Sequence, residues 1–266
     1  MASSIFCGVD VGSLTAQAVV LQGGRVLGAR SIRVKPSPVD SARAVIGDLF
    51  TACDLTREAV TRTVATGYGR QTLEERGLAD ANISEISCHG TGAHHLLPSV
   101  RTIIDIGGQD AKVIRVDEHG GIVDFVMNDK CASGTGRFLE LMSRTLGVEL
   151  EELGELARGA RRIEELTSRC SIFCETEVLH ALQRGVDRRD LAAGITRAIG
   201  ERAAALARRL GIEPETTMSG GVAKNAAVRV ELERLLNLRL LACPADPQIV
   251  GALGAAVLAA QGEPGR

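Results

Sequence analysis

The chain has 266 residues, enough to bury a sizeable core and more than a single domain usually needs. Its net charge is −2, Trp is absent and Tyr68 is the only tyrosine, which argues against a nucleic-acid partner. The start lacks a basic region ahead of an apolar stretch, and the longest apolar segment, residues 249–260, is too short for a bilayer. We therefore expect a cytoplasmic protein with no membrane partner.

Strand and helix patterns alternate along the first hundred residues. The pattern of the first region, residues 5–34, predicts β-hairpins. The next predicted elements are a helix over 39–53, a strand over 61–66, a helix ending near 76, a strand over 83–87 and a helix over 89–97.

The remaining chain begins with a second set of hairpins, over residues 102–127, and then becomes mostly helical. Apolar residues at three- and four-residue spacing predict helices over 136–146, 149–158, 174–184 and 188–210. The last predicted elements are a strand over 216–218, a helix over 226–236, a strand over 239–243 and a helix after Pro247. Hairpins followed by crossover helices, twice over, indicate an α/β architecture of two related halves.

A twelve-residue pattern occurs in both hairpin regions, at residues 10–21 and 105–116. Each copy places an aspartate, Asp10 or Asp105, at the end of a predicted strand, just before a glycine turn. Backbone N–H groups at such turns suit phosphate oxygens, and a strand-end carboxylate suits hydrated Mg²⁺. One copy alone would favour an ordinary hairpin, whereas the duplication favours a clamp on a phosphate chain and its metal.

A third glycine-rich element, Ser-Gly-Gly-Val-Ala-Lys-Asn over residues 219–225, joins a predicted strand to a helix. Paired glycines let the backbone approach a ligand, and the helix N-terminus offers further N–H groups. By itself this motif is more often a simple turn. The chain contains neither a P-loop nor a Rossmann glycine fingerprint.

The order of these three elements resembles the acetate and sugar kinase/Hsp70/actin superfamily. The resemblance implies an α/β fold of two RNase-H-like domains, residues 1–97 plus 247–266 and residues 98–246, with ATP and Mg²⁺ in the cleft between them. It implies that Asp10 and Asp105 face Mg²⁺ through water, and Gln109 is a further candidate for orienting Mg²⁺ or the attacking water. The implied phosphate-binding residues are Gly12, Ser13, Leu14, Thr15, Ala16, Gln17, Gly107 and Gly108. The implied nucleoside-lining residues are Gly220, Gly221, Lys224 and Gln248.

Two of the seven cysteines, Cys131 and Cys170, each lie just before a predicted helix. A thiolate there has a lowered pKa, and the positive potential would stabilise an anionic iron–sulfur cluster. Two cysteines are too few for a cluster with four ligands, but a two-fold homodimer would place four around its axis. The alternative is a pair of small buried residues, and spacing alone does not exclude it.

The sequence around these cysteines resembles a narrower group. The segments are Asp-Lys-Cys-Ala-Ser-Gly-Thr-Gly-Arg-Phe-Leu (129–139), Ala-Thr-Gly-Tyr-Gly-Arg (65–70) and Glu-Ile-Ser-Cys-His (85–89). They are similar to the ATP-dependent activators (archerases) of 2-hydroxyacyl-CoA dehydratases and to the ATPase subunits of benzoyl-CoA reductase.

This resemblance implies an ATPase that donates low-potential electrons, with a 4Fe–4S cluster bridging two subunits through Cys131 and Cys170. The implied partners are an iron–sulfur dehydratase or reductase component, with reduced ferredoxin or flavodoxin as the electron source. Two residues depart from the pattern, because the activators commonly have Lys where this chain has Gln17 and Gln where it has Lys224.

The main rival function is that of a small sugar or amino-sugar kinase of the same fold without a cluster. Such a kinase would need a sugar pocket and a base near the γ-phosphate, and it would not explain the cysteine motifs. A third possibility is a metal-free, ATP-regulated binding module. His89, His94 and His95 lack partner carboxylates at suitable spacing, so we expect them to be core or surface residues rather than metal ligands.

Overall fold

A computed structural model describes residues 4–129, 131–167 and 170–262 of the chain. The strands are β1 (Ile5–Val11), β2 (Thr15–Gln22), β3 (Arg25–Arg33), β4 (Val60–Gly67), β5 (Ala81–Asn82), β6 (Thr102–Ile106), β7 (Ala111–Val116), β8 (Ile122–Asn128) and β9 (Thr216–Ser219). The α-helices are α1 (Pro38–Ala52), α2 (Arg70–Glu75), α3 (Glu85–Leu96), α4 (Gly136–Leu146), α5 (Leu153–Arg158), α6 (Ser171–Gln183), α7 (Arg188–Leu210), α8 (Ala226–Leu236) and α9 (Val250–Gln261).

The chain divides into two compact units. Unit 1 comprises Met1–Ile103, Ile114–Phe125 and Cys243–Arg266, and unit 2 comprises Ile104–Val113 and Val126–Ala242. The two sheets have the strand orders β3-β2-β1-β4-β5 and β8-β7-β6-β9. This mixture of sheets and helices confirms the predicted α/β class. Among the described residues, no helix combines the length and the apolar character needed to cross a membrane.

In unit 1, the five-stranded sheet is covered by helices on both faces. Because side chains alternate along a strand, Ala16, Ala18 and Val20 of β2 join the core formed with α1. Val19 and Leu21 of the same strand face the other way and pack with α9. This explains why residues 18–21 of β2 are continuously apolar rather than alternating, since a stretch buried on both faces needs apolar residues on both.

Glycines allow the backbones of β1, α3 and α9 to touch. A Cβ atom built at Gly8 of β1 would overlap the carbonyl oxygen of Ala252 in α9. One built at Gly254 of α9 would overlap the carbonyl oxygen of Cys88 in α3. Because the overlapping atoms belong to the backbone, neither contact could be relieved by a side-chain rotation. These glycines therefore set the spacing of the layers in unit 1.

We expect Gly254→Ala to lower the free energy of unfolding by at least about 1–3 kcal/mol, the usual cost of overpacking a core. Gly47 in α1 is the matched control, since it is exposed and a Cβ there meets nothing within 4 Å. Gly47→Ala should raise stability by roughly 0.5–1 kcal/mol, because alanine loses less conformational freedom in a helix. Urea denaturation of both variants makes the comparison, and equal effects would contradict the backbone-contact explanation.

In unit 2, the sheet packs against the helices α4 to α8 through one large apolar core. Phe138 and Met142 of α4 and Leu191 and Ile195 of α7 are fully buried in it. Helix α7 begins where the Asp187 side chain accepts a hydrogen bond from the N–H of Arg189. Helix α8 begins at Asn225, whose side chain accepts from two backbone N–H groups. The predicted helix bounds of 188–210 and 226–236 are confirmed, and the two caps explain where these helices begin.

Two predicted strands are wrong. Residues 83–87 do not form a strand, because the Ser84 hydroxyl accepts a hydrogen bond from the N–H of Ser87 and caps α3, which begins at Glu85. Residues 239–243 contribute only a single bridge, between Thr217 and Leu241. The backbone N–H of Leu240 instead donates to the Glu233 carboxylate of α8 at 2.9 Å. The Glu233 side chain thus occupies the Leu240 N–H group, which is then not available for hydrogen bonding to a neighbouring strand.

Candidate nucleotide and thiol sites

The first hairpin, β1–β2, holds Asp10 near the end of β1. Asp10 is buried and pairs with Gln17 across the two strands. The turn is closed by the N–H of Gly12, which donates to the Thr15 carbonyl at 3.1 Å. Of the predicted phosphate-binding residues here, those at 12–15 are partly exposed, whereas Ala16 and Gln17 are buried.

Gln17 is 3% exposed, and within the described part of the chain its Nε2 atom has no hydrogen-bond partner. A buried donor without an acceptor is costly, so this amide suits a ligand oxygen or an ordered water. Gln248, predicted to line the nucleoside, lies beside this hairpin. Its Nε2 donates to Thr15 Oγ1 at 3.0 Å.

His89 is a functional candidate that the sequence analysis missed. It is buried in α3, and its Nε2 lies 3.9 Å from Asp10 Oδ2. Gly251 of α9 leaves room for this pair, since a Cβ there would overlap the carboxylate and lie 2.8 Å from the imidazole. His89 occupies the core, one of the two positions expected for it, and its neighbour there is the carboxylate of the first hairpin.

The second hairpin, β6–β7, holds Asp105 in a buried polar network. Ser219 Oγ donates to Asp105 Oδ1 at 2.8 Å. Lys112 Nζ lies 3.4 Å from Asp105 Oδ2 and 2.8 Å from Asp110 Oδ2. Gln109, at the tip of the turn, is exposed. Asp105 is thus held at both carboxylate oxygens, while Gln109 is accessible to a ligand.

The turn of the second hairpin is tied to the start of α4. The N–H of Gly136 donates to the carbonyl of Gly107 at 2.8 Å, and that of Arg137 donates to Gly108 at 2.9 Å. The first N–H groups of a helix have no partner within it, so the turn of the second hairpin supplies acceptors to α4. Any shift of this turn would therefore be passed to the first turn of α4.

The third predicted element, residues 219–225, lies against the second hairpin. Gly220 has a positive φ of 84°, and a Cβ there would overlap the Ile106 carbonyl and lie 2.9 Å from Asp105 Oδ1. Only glycine fits such a backbone and such an approach. A short 3₁₀ turn, Gly221–Lys224, follows, and Lys224 is exposed. The structure thus brings Gly220 together with Asp105.

Cys131 and Cys170 are exposed. Cys170 is the N-cap residue of α6, and Cys131 lies in the loop before α4. A 2.8 Å hydrogen bond between Cys131 Sγ and Ser133 Oγ is the main reason that the pKa of this thiol is lowered. The thiolate, the form that binds metals, is therefore favoured at Cys131.

Other thiols differ in environment from these two. Burial raises the pKa of both Cys7 and Cys88 to about 12. Cys174, one helical turn beyond Cys170, is buried, and its pKa is raised to about 11, chiefly by desolvation. Across residues 4–129, 131–167 and 170–262, no group of three or more His, Cys, Asp or Glu side chains could hold a metal ion.

Replacing Ser133 should change the reactivity of Cys131 in protein prepared without metal. Ser133→Ala removes the hydrogen bond that favours the thiolate, so we expect the Cys131 pKa to rise and its alkylation by iodoacetamide to slow near neutral pH. The alkylation of Cys170, followed by mass spectrometry in the same samples, is the internal control. A rate at Cys131 that does not change would show that this hydrogen bond does not set its pKa.

Residues 7–259 match the BadF/BadG/BcrA/BcrD ATPase family. The chain is a member of this family. Membership confirms the resemblance to the activators seen in the sequence.

Relatives within this ATPase family match almost the whole chain. The activator of lactoyl-CoA dehydratase from Anaerotignum propionicum is 45% identical over 95% of this chain and 96% of its own. The (R)-2-hydroxyglutaryl-CoA dehydratase activating ATPase from Acidaminococcus fermentans is 42% identical, with 95% of each chain covered. The activator of the 2-hydroxyisocaproyl-CoA dehydratase from Clostridium difficile, solved with bound ADPNP, has a TM-score of 0.92 at 37% identity over 97% of this chain and 95% of its own. The predicted fold, of the actin and Hsp70 type, is confirmed.

Proposed function

We propose that this ATPase-family member hydrolyses ATP to drive low-potential electron transfer to an iron–sulfur enzyme. The acceptor would be a 2-hydroxyacyl-CoA dehydratase or a related aryl-CoA or double-cluster reductase. The observation that carries the proposal is the exposure of Cys131 and Cys170, each at the approach to a helix, in a member of an ATPase family. The named roles of its relatives as dehydratase activators support the choice of acceptor.

In the proposed ATP site, Asp10 and Asp105 face hydrated Mg²⁺. Both are buried strand-end carboxylates, which suits a metal that keeps several of its waters. The turns that follow them hold the phosphates through backbone N–H groups. Water is the phosphoryl acceptor, and the exposed Gln109 at the second turn is the candidate to orient it.

The nucleoside end of the site is proposed at Gly220, Gly221 and Lys224. The close approach of Gly220 to Asp105 supports this, because it brings the third glycine loop next to a carboxylate assigned to Mg²⁺. Gln248 is proposed to line the nucleoside as well, and it donates a hydrogen bond to Thr15 of the first hairpin.

Cys131 and Cys170 would hold a 4Fe–4S cluster, which supplies one-electron transfer when bound. The residues fit this group, since both thiols are exposed and the pKa of Cys131 is lowered. A cubane needs four ligands, so a second copy of the chain would supply the other two, in a homodimer. Reduced ferredoxin or flavodoxin is the proposed electron source.

Coupling between nucleotide and thiols would run through the start of α4. The carbonyls of Gly107 and Gly108 accept from the first N–H groups of α4, and Cys131 lies in the loop that leads into this helix. If the turn at Gly107 and Gly108 has two arrangements and a nucleotide binds one of them more tightly, nucleotide binding favours that arrangement and moves the start of α4 with the turn. The size of the shift is limited by that difference in affinity.

Anaerobic purification tests the proposal. We expect a brown dimer with about four iron atoms per dimer, which hydrolyses ATP without a sugar and reduces a purified dehydratase component with ATP but not with ADP. Removing the iron by chelation should weaken the dimer in sedimentation experiments. A colourless, iron-free protein that phosphorylates a sugar would instead support the kinase alternative.

A further inference from the structure

Lys112 is a buried lysine for which the duplicated pattern provides an internal comparison. Lys112 follows Asp105 by seven residues, just as Gln17 follows Asp10 in the first copy of the pattern. In the first hairpin Asp10 and Gln17 face each other across the strands. The hairpin therefore forms with a neutral residue at this position, and folding alone does not require the cation.

Burying the charged side chain of Lys112 costs free energy. Its side chain is 3% exposed, and lysine is almost never buried to this degree unless it is paired. Here one ammonium is buried with two carboxylates, Asp105 and Asp110, which are also almost fully buried. The shorter contact, 2.8 Å, is to Asp110, and the longer one, 3.4 Å, is to Asp105. The ammonium of Lys112 is therefore held mainly by Asp110, and it makes its second, longer contact to Asp105.

We propose that Lys112 is a positioning residue for Mg²⁺–ATP, an inference that rests on the proposed function. Its ammonium holds Asp105 Oδ2 on one side while Ser219 holds Oδ1 on the other, so the carboxylate has a fixed orientation before the metal arrives. The ammonium also offsets one of the two negative charges. The fixed orientation means that Mg²⁺ binds beside a carboxylate that is already correctly placed. The reduced negative charge weakens the attraction for Mg²⁺, so that the metal can leave with the product.

Lys112→Gln tests this by giving the second hairpin the residue that the first hairpin has. We expect kcat for ATP to fall at least about tenfold, while the Mg²⁺ concentration that half-saturates ADP binding, measured by calorimetry, falls several-fold. Slower turnover with tighter metal binding is a combination that a loss of folded protein would not produce. Lys35→Gln, at an exposed lysine, is the matched control and should change neither quantity.

The double variant Asp110→Asn/Lys112→Gln separates positioning from simple charge balance. It removes one charge of each sign, so the network keeps the net charge of the wild type and the Mg²⁺ half-saturation should return towards its wild-type value. The low kcat should remain, because Asp105 still lacks its ammonium. Recovery of kcat in the double variant would overturn the inference, since Lys112 would then serve only to neutralise Asp110.

The same series distinguishes this inference from the proposed function. Unchanged kcat and Mg²⁺ dependence in Lys112→Gln, next to an active wild type, would overturn the inference alone. A wild type that neither binds nor hydrolyses ATP would overturn the proposed function and this inference with it. Thermal unfolding of each variant identifies any that is misfolded, and the double variant then supplies the kcat comparison.

Discussion

Asp105→Asn should lower the ATPase rate at least about tenfold while the iron content of the dimer stays at the wild-type value. Asparagine preserves the shape of the side chain and can still accept the hydrogen bond from Ser219 Oγ. It removes the negative charge, which weakens the hold on hydrated Mg²⁺ and the charge neutralisation that phosphoryl transfer requires. Asp10→Asn should have an effect of the same kind, because it is the equivalent change in the first hairpin.

Asp124→Asn is the matched control for these two variants. Asp124 lies exposed on β8, so the same chemical change there should leave the rate unaltered. ATPase rate and iron content are measured on the same anaerobic preparations. Wild-type turnover by Asp105→Asn would mean that the second hairpin is only structural and that the duplication is not a metal clamp.

Cys131→Ser and Cys170→Ser should each abolish the iron content and the visible absorption of the anaerobically purified protein. Serine is close in size but does not provide the thiolate that an iron–sulfur cluster requires. ATP hydrolysis should persist if the variants remain folded, because neither cysteine lies in the hairpins. This outcome is the reverse of the one expected for the aspartate variants, so the two sets separate the proposed sites.

Cys174→Ala is the sharpest control for the cysteine variants. Cys174 is only one helical turn from Cys170, yet it is buried and its pKa is raised to about 11. We expect the Cys174→Ala protein to retain the wild-type iron content. The same is expected of Cys7→Ser, Cys88→Ala and Cys243→Ala. Wild-type iron in either Cys131→Ser or Cys170→Ser would contradict the ligand assignment.

The parts of the fold that could be predicted from the sequence have local causes. Helices α4, α7 and α8 have the predicted bounds because their apolar periodicity coincides with caps or with residues that end a helix, such as Gly147 and Asn237 in the left-handed conformation. The wrong strand at residues 83–87 has a local cause as well. Its apolar residues suggested a strand, but the Ser84 cap allows the helix to begin there.

The parts of the candidate sites that could not be predicted depend on distant residues. The aspartates are predicted because their pattern is repeated, whereas Ser219, the partner of Asp105 Oδ1, lies outside that pattern. Ser219 lies 114 residues from Asp105 in the chain, and Gln248 lies 233 residues from Thr15. His89 is expected from the sequence to be a core or surface residue, and nothing in its local sequence indicates that Asp10 is its neighbour.

The glycine contacts of α9 have a consequence for synthesis on the ribosome. Unit 1 contains both the first and the last segments of the chain, and Gly8 of β1 touches α9, which is translated more than two hundred residues later. At about 5–20 residues per second, β1 waits tens of seconds for this helix. Val19 and Leu21 are not covered by α9 during that interval. Unit 2 does not have to wait in this way, because its last segment ends at Ala242 and is translated before α9. Chaperones that bind exposed apolar strands should therefore associate with the nascent chain through its first hairpin, and a ribosome stalled before residue 250 should retain them.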